Sequence, residues 1–519
     1  MKKFFDWILK NKFEFAILVL ILATAAFLRL WRISDYMTFL GDEGRDVIVV
    51  KNLITKGDLI FIGPVTSIGN MYLGPLYYYM MAPFLAISRL DPVGPAAMVA
   101  LIGTVTVFLV YLCGRLFFSK EAGIFAASLY AVAPVVISYS RFSWNPNTMP
   151  FFALLTILFL YQSLKTKDYR WFLGVGASLA VVLQMHYLGA LLAPLLAGVW
   201  VFLFWELIKK KKPLKNFFLF SLLSFILFFL LMSPLLIFDL NPSHKFLNFN
   251  AFKVFFIGTK STGVISNASL GFSFNLTKIY STFGDLFVRF LVAKEEVWRL
   301  PLIILAFSIL VVFGFLISKS KKNNYGYFII LAWLAIGVFG LSFLKGEIFD
   351  HYFGVLNPLP YLIFGMFLYL LWRTNSLLRA LSILIFCFLL FTNFKHSPFV
   401  SEPNNQLGRT KSIARQIIKS SSYKPFNFAL IAQNNYDDAY RYFLDIWGHN
   451  PIVIDNQNLK TTITDQLFVV CEDQTCKPLG YPKWEIASFG KEKGLAVIED
   501  DLQFDGVRLF KLVHSSQLN

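Results

Sequence analysis

Four ionisable residues lie within five positions, directly after the first long apolar run of the chain. The stretch FLGDEGRD at 39–46 contains Asp42, Glu43, Arg45 and Asp46. A carboxylate can take a proton from a hydroxyl group, so this pattern predicts a general base, with Asp42 preferred and Glu43 as the alternative. A structural role is also open, because Asp42 could cap a helix that starts near Val47.

Further polar side chains follow other apolar runs of the chain. They are Arg141, Asn145 and Asn147 in SRFSWNPN, His186 in QMHYLG, and Lys345, Asp350, His351 and Tyr352 in LKGEIFDHYF. Most of the longer apolar runs lack ionisable side chains, whereas ion-coupled transporters usually carry such groups near the midplane. The pattern predicts an active site at the membrane surface, supplied by one lipid-borne and one water-side reactant.

Several of these residues have a simpler interpretation. Arg141 could be a snorkelling arginine at the interface. His186 could mark a polar turn between two helices, and Tyr77 could belong to an aromatic belt.

The elements that position these residues are predicted to be membrane-spanning helices. Of 519 residues, 56% are hydrophobic and 15% are charged, and mean hydropathy is +0.60. Apolar runs of about 17 to 25 residues recur between residues 15 and 394, long enough to cross a bilayer. The net charge of +17 comes largely from lysine clusters between these runs, a pattern of membrane proteins rather than of nucleic-acid binding.

The lysine and arginine clusters predict the topology. Six clusters can all be cytoplasmic if the chain crosses the membrane eleven times, with residues 72–88 along the interface or re-entrant. Twelve crossings, with 72–88 as a further span, are the alternative. The prediction is a multi-pass plasma-membrane protein with a cytoplasmic N-terminus, a first external loop at 34–93 and a long external loop at 239–298.

The tail, residues 396–519, has a different composition from the membrane region, residues 1–395. FNFALIAQ, PIVID, QLFVVCED and VRLFKLV are typical of strands, and RTKSIARQIIKS and DDAYRYFLDIWG of helices. We expect a soluble α/β domain on the extracytoplasmic side. A disulfide between Cys471 and Cys476 would fit that side, and metal binding by this pair is the competing interpretation.

These motifs together resemble the C-type glycosyltransferases of the protein O-mannosyltransferase and aminoarabinose-transferase family (glycosyltransferase family 39). DEGRD is similar to the family's D-E-x-R-Y, with Asp46 in place of tyrosine. The other similar stretches, in order, are LGPLYYY at 73–79, GRLFFSKEAG at 114–123, SRFSWNPN at 140–147, His186 where the family has lysine, and DHYFGVLNPLP at 350–360. The resemblance spans residues 15–370 and leaves the tail outside the shared core.

The resemblance implies transfer of a sugar from a polyprenyl-phosphate donor to a hydroxyl of a protein, lipid or glycan acceptor, with inversion. Asp42 or Glu43 would be the base, and the donor phosphate would be held by Arg45, His186, Lys345 and His351. Substrate contacts would come from Asp46, Tyr77, Arg141, Asn145, Asn147, Asp350 and Tyr352. Asparagine replaces an aspartate of the family in SRFSWNPN, so no obligatory metal is expected and a divalent ion stays open.

Two other functions remain open. The enzyme could transfer a whole lipid-linked oligosaccharide, or the chain could be a lipid-sugar flippase or transporter. Release of polyprenyl phosphate would separate an enzyme from a flippase.

Overall fold

The computed structural model describes residues 9–66, 71–257, 275–319, 324–398, 400–473, 476–492, 494–504 and 506–517. Its α-helices are α1 Lys12–Leu30, α2 Ile33–Tyr36, α3 Gly41–Lys56, α4 Leu76–Ile87, α5 Val93–Phe117, α6 Lys120–Val132, α7 Pro134–Tyr139, α8 Met149–Thr166, α9 Trp171–Met185, α10 Ala193–Lys209, α11 Lys215–Leu240, α12 Leu247–Ile257, α13 Leu276–Leu291, α14 Arg299–Lys319, α15 Tyr325–Ser342, α16 Leu359–Trp372, α17 Ser376–Lys395, α18 Gln406–Ser420, α19 Asp438–Ile446, α20 Leu459–Thr462 and α21 Trp484–Glu492. Short 3₁₀ helices are Asn145–Thr148, Tyr187–Leu192, Pro242–His244, Glu296–Trp298, Asp350–Val355 and Ser515–Gln517. The strands are β1 Asn427–Ile431, β2 Gln466–Cys471, β3 Ala496–Phe504 and β4 Val507–His514.

The chain is a multi-pass α-helical membrane protein. In the described part, eight helical segments are long and apolar enough to cross a bilayer, and Leu76–Ile87, Trp171–Met185 and Leu359–Trp372 are apolar but shorter. The 12-residue helix α4 is about 18 Å long, well below the ~30 Å hydrocarbon core. Whether residues 72–88 cross stays a prediction, since Trp171–Met185 and Leu359–Trp372, which are counted as crossings, are also shorter than the core.

Two predicted single crossings are each divided in the structure. Pro134 begins α7 directly after α6, since proline is favoured in the first turn of a helix but not in its interior. The predicted span 351–372 consists of the 3₁₀ helix Asp350–Val355 and then α16. Both interruptions lie beside polar residues of the candidate site.

The predicted long external loop at 239–298 contains helices among its described residues. The segment contains α12 and α13, and its residues 258–274 lie outside the described residues. Helix α13, LTKIYSTFGDLFVRFL, buries Phe287, Leu286 and Phe290 on one side and places Asp285 and Arg289 on the other. Its apolar spacing is that of an amphipathic helix.

The chain folds into two compact units. One comprises residues 1–31, 59–80 and 96–402, which we call the membrane unit, and the other comprises residues 32–58, 81–95 and 403–519, which we call the tail unit. This division differs from the predicted boundary at residue 395, because two early segments pack with the tail.

The sheet of the tail unit has the strand order β1-β2-β4-β3. Strand β1 is parallel to β2, and β4 is antiparallel to both β2 and β3. Strands β1 and β2 are buried along their whole length, and Leu467, Phe489 and Leu512 belong to their shared core.

Three of the four predicted strands are confirmed, as β1, β2 and β4. The strand predicted for PIVID at 451–455 is wrong, because Val453 is 68% exposed and the segment forms no ladder. Strand β3 was not predicted: its sequence, AVIEDDLQF, has acidic residues at its centre because this edge strand is largely exposed.

Candidate active site

The predicted site residues occur in both units, and each unit is described by itself. Asp42, Glu43, Arg45 and Asp46 belong to the tail unit. The remaining predicted residues, Tyr77, Arg141, Asn145, Asn147, His186, Lys345, Asp350, His351 and Tyr352, belong to the membrane unit.

The four ionisable residues of DEGRD form the first turns of α3 rather than a loop. Arg45 Nη1 donates to Asp42 Oδ1 at 2.8 Å, and Arg45 Nε and Nη2 donate to Asp46 Oδ1 at 3.0 and 2.7 Å. The Asp42 side chain is 41% exposed, whereas that of Asp46 is completely buried. Arg45 therefore fixes two carboxylates, and Asp42 is the one that solvent can reach.

Glu43 faces the interior and completes the start of α3. Its Oε2 accepts a hydrogen bond from the Leu40 N–H at 2.8 Å, so Glu43, and not Asp42, satisfies the helix N-terminus. Burial raises the pKa of Glu43 to about 7, with the Asp42 and Asp46 carboxylates acting in the same direction against the Leu40 N–H bond. Glu43 therefore changes charge near neutral pH.

The residues that follow β1 hold α3 in place within the tail unit. The Gly41 N–H donates to Asn435 Oδ1 at 2.9 Å, and Lys51 forms an ion pair with Asp445. Gly44 lies so close to α19 that a Cβ atom there would come within 2.2 Å of the Ala439 nitrogen. The glycine of DEGRD is thus required by the approach of two helices.

Glu472 anchors this arrangement to the sheet. Asn435 Nδ2 donates to both oxygens of Glu472, at 3.0 and 2.9 Å, and the Tyr440 hydroxyl donates to Glu472 Oε1 at 2.7 Å. Glu472 follows Cys471, which is bonded to Cys476 in a disulfide. The tail therefore positions the acidic turn of α3.

His186 lies in the membrane unit at the turn between α9 and the following 3₁₀ helix. Its Nδ1 accepts a hydrogen bond from the Leu188 N–H at 3.2 Å. Burial lowers the pKa of His186 to about 3, and His351 acts in the same direction. At neutral pH the imidazole is neutral, and because Nδ1 is the acceptor, Nε2 carries the proton and can donate. Near pH 7 His186 can therefore offer a hydrogen bond but not a positive charge.

An aromatic group surrounds His186. The His351 ring lies 5.8 Å from it and the Tyr352 ring 5.6 Å, between centroids, and Trp144 packs on His351 at 4.7 Å. The structure thus brings residues of three predicted loops together.

Asp350 forms ion pairs with two cations that sequence reasoning missed. Arg289 Nη1 donates to its Oδ1 at 3.0 Å, and Lys294 Nζ is 2.6 Å from Oδ2. The Asp350 side chain is only 10% exposed, whereas that of Lys294 is 54% exposed. The amphipathic pattern of α13 was the signal that could have found Arg289.

Other predicted site residues make contacts that hold the backbone. Arg141 donates to the Leu28 and Trp31 carbonyls, at 3.0 and 2.5 Å, near the end of α1. Asn145 Nδ2 donates to the Met185 carbonyl at 2.6 Å, directly before His186. The Tyr77 hydroxyl is hydrogen-bonded to Ser143 at 2.8 Å. These contacts fix the loop at 140–148 and the turn at His186.

Asn147 and Lys345 differ strongly in exposure. Asn147 donates to the Phe142 carbonyl at 3.0 Å and lines a cavity of about 20 Å³ together with Asp350 and His351. Lys345 is exposed and makes no hydrogen bond or ion pair with a described residue. It is therefore accessible to an anion.

No group of three or more His, Cys, Asp or Glu side chains that could hold an ion occurs among the described residues. The carboxylates of Asp42 and Asp46 are both paired with Arg45.

Comparison with known proteins identifies this architecture. The structure matches that of ArnT from Cupriavidus metallidurans, crystallised with undecaprenyl phosphate, with TM-score 0.62 and 13% identity. The match covers 96% of this chain and 98% of the ArnT chain. The Archaeoglobus fulgidus oligosaccharyltransferase tethered to an acceptor peptide matches with TM-score 0.51 and 14% identity, over 90% of this chain and 69% of the other. The archaeal oligosaccharyltransferase AglB from the same organism, in complex with an inhibitory peptide and a dolichol-phosphate, gives the same TM-score and identity, with 89% and 70% covered.

The chain has the C-type glycosyltransferase fold. Residues 73–238 also match the family model described as dolichyl-phosphate-mannose-protein mannosyltransferase, which confirms the resemblance over that segment. It includes His186 and the stretches LGPLYYY, GRLFFSKEAG and SRFSWNPN, whereas DEGRD and DHYFGVLNPLP lie outside it. No curated protein sequence matches the chain.

The prediction that the tail lies outside the shared core is wrong. A structural match over 96% of the chain must include most of residues 396–519. The tail therefore has a structural counterpart in ArnT.

Proposed function

We propose that this protein transfers a sugar from a polyprenyl-phosphate donor to an acceptor hydroxyl, with inversion at the anomeric carbon. The observation that carries the proposal is the half-exposed Asp42 held by Arg45 at the start of α3, in a chain with the C-type glycosyltransferase fold. The family described for residues 73–238 uses a lipid-phosphate sugar by name, and ArnT was crystallised with undecaprenyl phosphate.

In this reaction Asp42 is the general base. It takes the proton of the acceptor hydroxyl while that oxygen forms a bond to the anomeric carbon. The bond between the anomeric carbon and the phosphate oxygen breaks, and the polyprenyl phosphate leaves with the electron pair. Arg45 fixes the orientation of the Asp42 carboxylate through its hydrogen bond at 2.8 Å.

The departing phosphate needs hydrogen-bond donors, and we propose that it takes them from side chains of the membrane unit. His186 Nε2 can donate as a neutral group, and Lys294 and Lys345 are exposed cations. A preorganised donor in a water-poor site stabilises developing charge by roughly 3 kcal/mol. Arg289 orients the Asp350 carboxylate, which in turn holds Lys294. In this proposal Arg289 does not contact the sugar donor itself.

The remaining features of the proposal concern location and cofactors. The reaction takes place on the outer face of the plasma membrane, with the N-terminus cytoplasmic and the tail outside. We propose that no divalent ion is obligatory, because the carboxylates of Asp42 and Asp46 are both engaged by Arg45. Activity should therefore persist in a metal chelator. Hexosyl and pentosyl donors are both compatible with the proposal.

Transfer of a whole lipid-linked oligosaccharide is the second candidate. The match to an oligosaccharyltransferase that was tethered to an acceptor peptide favours it. The two functions differ in product: the mass added to the acceptor is one sugar in the first and a glycan chain in the second.

The decisive experiment uses the purified chain in lipid with a polyprenyl-phosphate sugar and follows polyprenyl phosphate release. Asp42→Asn keeps the size of the side chain but removes its basicity, so turnover should fall by roughly 10²-fold or more, with thermal stability unchanged. The matched control is Asp58→Asn, since Asp58 is exposed in the same unit and should be neutral.

Three results would contradict the assignment. Normal turnover of Asp42→Asn together with an inactive Glu43→Gln would make Glu43 the base. Normal turnover of both variants would leave the acidic turn without a catalytic role. No release of polyprenyl phosphate by the wild type with any lipid-linked sugar would exclude transferase activity and favour a flippase.

A further inference from the structure

A second polar cavity lies in the membrane unit at the end of the helices opposite to His186. It has a volume of about 770 Å³, and we call it the basic cavity. Helix α9 separates it from His186: Lys167 and Arg170 precede the first residue of the 15-residue helix and His186 follows its last, about 22 Å away. The basic cavity is therefore distinct from the candidate catalytic residues of this unit.

The lining of the basic cavity has an excess of positive charge. The ionisable side chains are Lys167, Arg170, Lys210 and Lys212 against Asp168 and Glu206. Glu206 pairs with both Lys167 and Lys210, and Asp168 pairs with Arg170. Lys212 is exposed and makes no ion pair with a described residue. Two carboxylates cannot neutralise four cations, so the cavity is complementary to an anion.

An apolar groove adjoins the basic cavity along the same helices. It has a volume of about 390 Å³, lies between α9, α10 and α11, and is lined by residues that include Phe172, Ala197, Trp200 and Phe225. We call it the α9–α11 groove. Its floor is tight, because a Cβ atom on Gly176 would come within 2.4 Å of the Ser224 carbonyl oxygen.

The cavity and the groove follow each other along α11. Asn216 and Phe220 line the basic cavity, and Ser221 to Phe229 contribute to the groove. From Asn216 to Phe229 the helix rises about 20 Å, somewhat more than half of a ~30 Å hydrocarbon core. A ligand that fills both volumes must have an anionic head and a long apolar chain, with a length of about one membrane leaflet.

We propose that the basic cavity and the α9–α11 groove bind one anionic phospholipid. Its headgroup phosphate contacts Lys212, Lys210 and Arg170, whose side chains are the exposed cations of the lining. One acyl chain lies in the groove against Ala197 and Phe225. The topology predicts both lysine clusters to be cytoplasmic, the side on which membranes are rich in anionic lipid.

The test measures binding of phosphatidylglycerol, phosphatidylcholine and glycerol 3-phosphate to the purified, delipidated full chain by native mass spectrometry. The head variant is Lys212→Glu, with Lys215→Glu as its control, because Lys215 is exposed nearby, has the same charge and does not line the cavity. The chain variant is Ala197→Phe, which fills the groove. Its control is Gly198→Phe, since an added Cβ at Gly198 meets no atom within 4 Å.

Phosphatidylglycerol should bind about tenfold or more tightly than phosphatidylcholine, and glycerol 3-phosphate should not compete at equal concentration. Lys212→Glu and Ala197→Phe should each weaken phosphatidylglycerol binding about tenfold, and their controls less than twofold. Equal binding of the two phospholipids would contradict the selectivity of the basic cavity for an anionic headgroup. Equal competition by glycerol 3-phosphate would contradict binding of an acyl chain in the α9–α11 groove. Identical behaviour of variants and controls would show that the lipid does not bind at this cavity and groove.

Discussion

At the level of single residues, three carboxylates within two turns of α3 have different environments. Asp42 is 41% exposed, Glu43 is buried with a raised pKa, and Asp46 is completely buried against Arg45. A base must reach the hydroxyl whose proton it removes. Exposure therefore favours Asp42, whereas a pKa near neutrality would suit Glu43, and pH dependence is the property that distinguishes them.

Glu43 should make the stability of the protein depend on pH. Its pKa of about 7 in the folded chain lies above the value of 4.5 for an unperturbed side chain, so protonation favours folding. Its contribution is complete below about pH 4.5, is lost as pH rises through 7, and amounts to ~3 kcal/mol at most. Glu43→Gln should remove this dependence and raise the thermal midpoint in detergent at pH 8.

The exposed Glu402 provides the control for this measurement. Glu402→Gln should leave the wild-type pH curve unchanged. Parallel curves for wild type and Glu43→Gln between pH 5 and pH 8 would show that burial does not raise this pKa. A rate that rises with an apparent pKa near 7 in the wild type, and no longer does so in Glu43→Gln, would instead identify Glu43 as the base.

His186 allows a test of its two ring nitrogens by separate substitutions. Asparagine reproduces the acceptor at Nδ1, which takes the Leu188 N–H, but offers no donor at Nε2. His186→Asn should keep the stability of the protein. It should lower the affinity for the polyprenyl-phosphate sugar by roughly tenfold, about the value of one hydrogen bond. His186→Gln extends its amide toward the Nε2 position and should retain more of the donor affinity but lose stability.

The measurements are the KM for the polyprenyl-phosphate sugar and the thermal midpoint of each variant. Equal KM values for wild type and both variants would mean that His186 only shapes the turn after α9. Lysine is a poor replacement here, because burial that lowers the pKa of His186 to about 3 disfavours any charge at this position.

The sequence predicted which residue types collect at the site but not their partners. Arg45 was expected on a phosphate and is bound to two carboxylates, and Arg141 was expected on substrate or in the interface and binds carbonyls near the end of α1. Partner choice depends on contacts between residues far apart in sequence, about which a local motif carries no information. Arg289 was missed for the same reason, since its partner Asp350 lies 61 positions away.

At the level of secondary structure elements, the packing of α3 on α19 depends on Gly44. A Cβ atom there would lie 2.2 Å from the Ala439 nitrogen, and backbone cannot yield as a side chain can. Gly44→Ala should force the helices apart, cost about 1–3 kcal/mol and lower turnover by moving Asp42. Thermal stability and polyprenyl phosphate release measure the two effects.

Gly408 in α18 is the matched control in the same unit. An added Cβ there meets no atom within 4 Å, so Gly408→Ala should be neutral or stabilise by up to ~1 kcal/mol through helix propensity. Wild-type stability of Gly44→Ala would show that α3 does not pack closely on α19.

Hydropathy predicted the long membrane helices, because each must be apolar over a length set by the bilayer. It did not predict α13, an amphipathic helix, or β3, an exposed edge strand, since neither contains an apolar run. PIVID has the composition of a strand but does not join the sheet. It is held by individual hydrogen bonds, such as the one from the Ile452 N–H to the Phe426 carbonyl at 2.9 Å. Local composition thus fails where tertiary contacts decide the structure.

At the level of the whole molecule, the tail unit is assembled from three separate segments of the chain. Residues 32–58 and 81–95 pack with residues 403–519. Phe39 and Phe443, whose ring centroids are 5.5 Å apart, are separated by about 400 positions. No local pattern contains such a pairing, and this is why the sequence placed the acidic turn in a loop of the membrane region.

The last prediction concerns the side of the membrane on which the tail lies. Cys471 and Cys476 form a disulfide, Cys113 is buried, and Cys387 can be replaced by serine, which leaves a background without a reactive thiol among the described residues. In this background Val453→Cys places a thiol at a 68% exposed position of the tail unit. Positive-inside parity predicts that a membrane-impermeant maleimide labels it in intact cells, whereas Lys165→Cys, in a predicted cytoplasmic cluster, reacts only after lysis. The reverse pattern would invert the topology and with it the proposed outer-face reaction. The eleven-span topology requires an odd number of crossings between residues 165 and 453. Labelling of both positions in intact cells would show that this number is even and would contradict the topology.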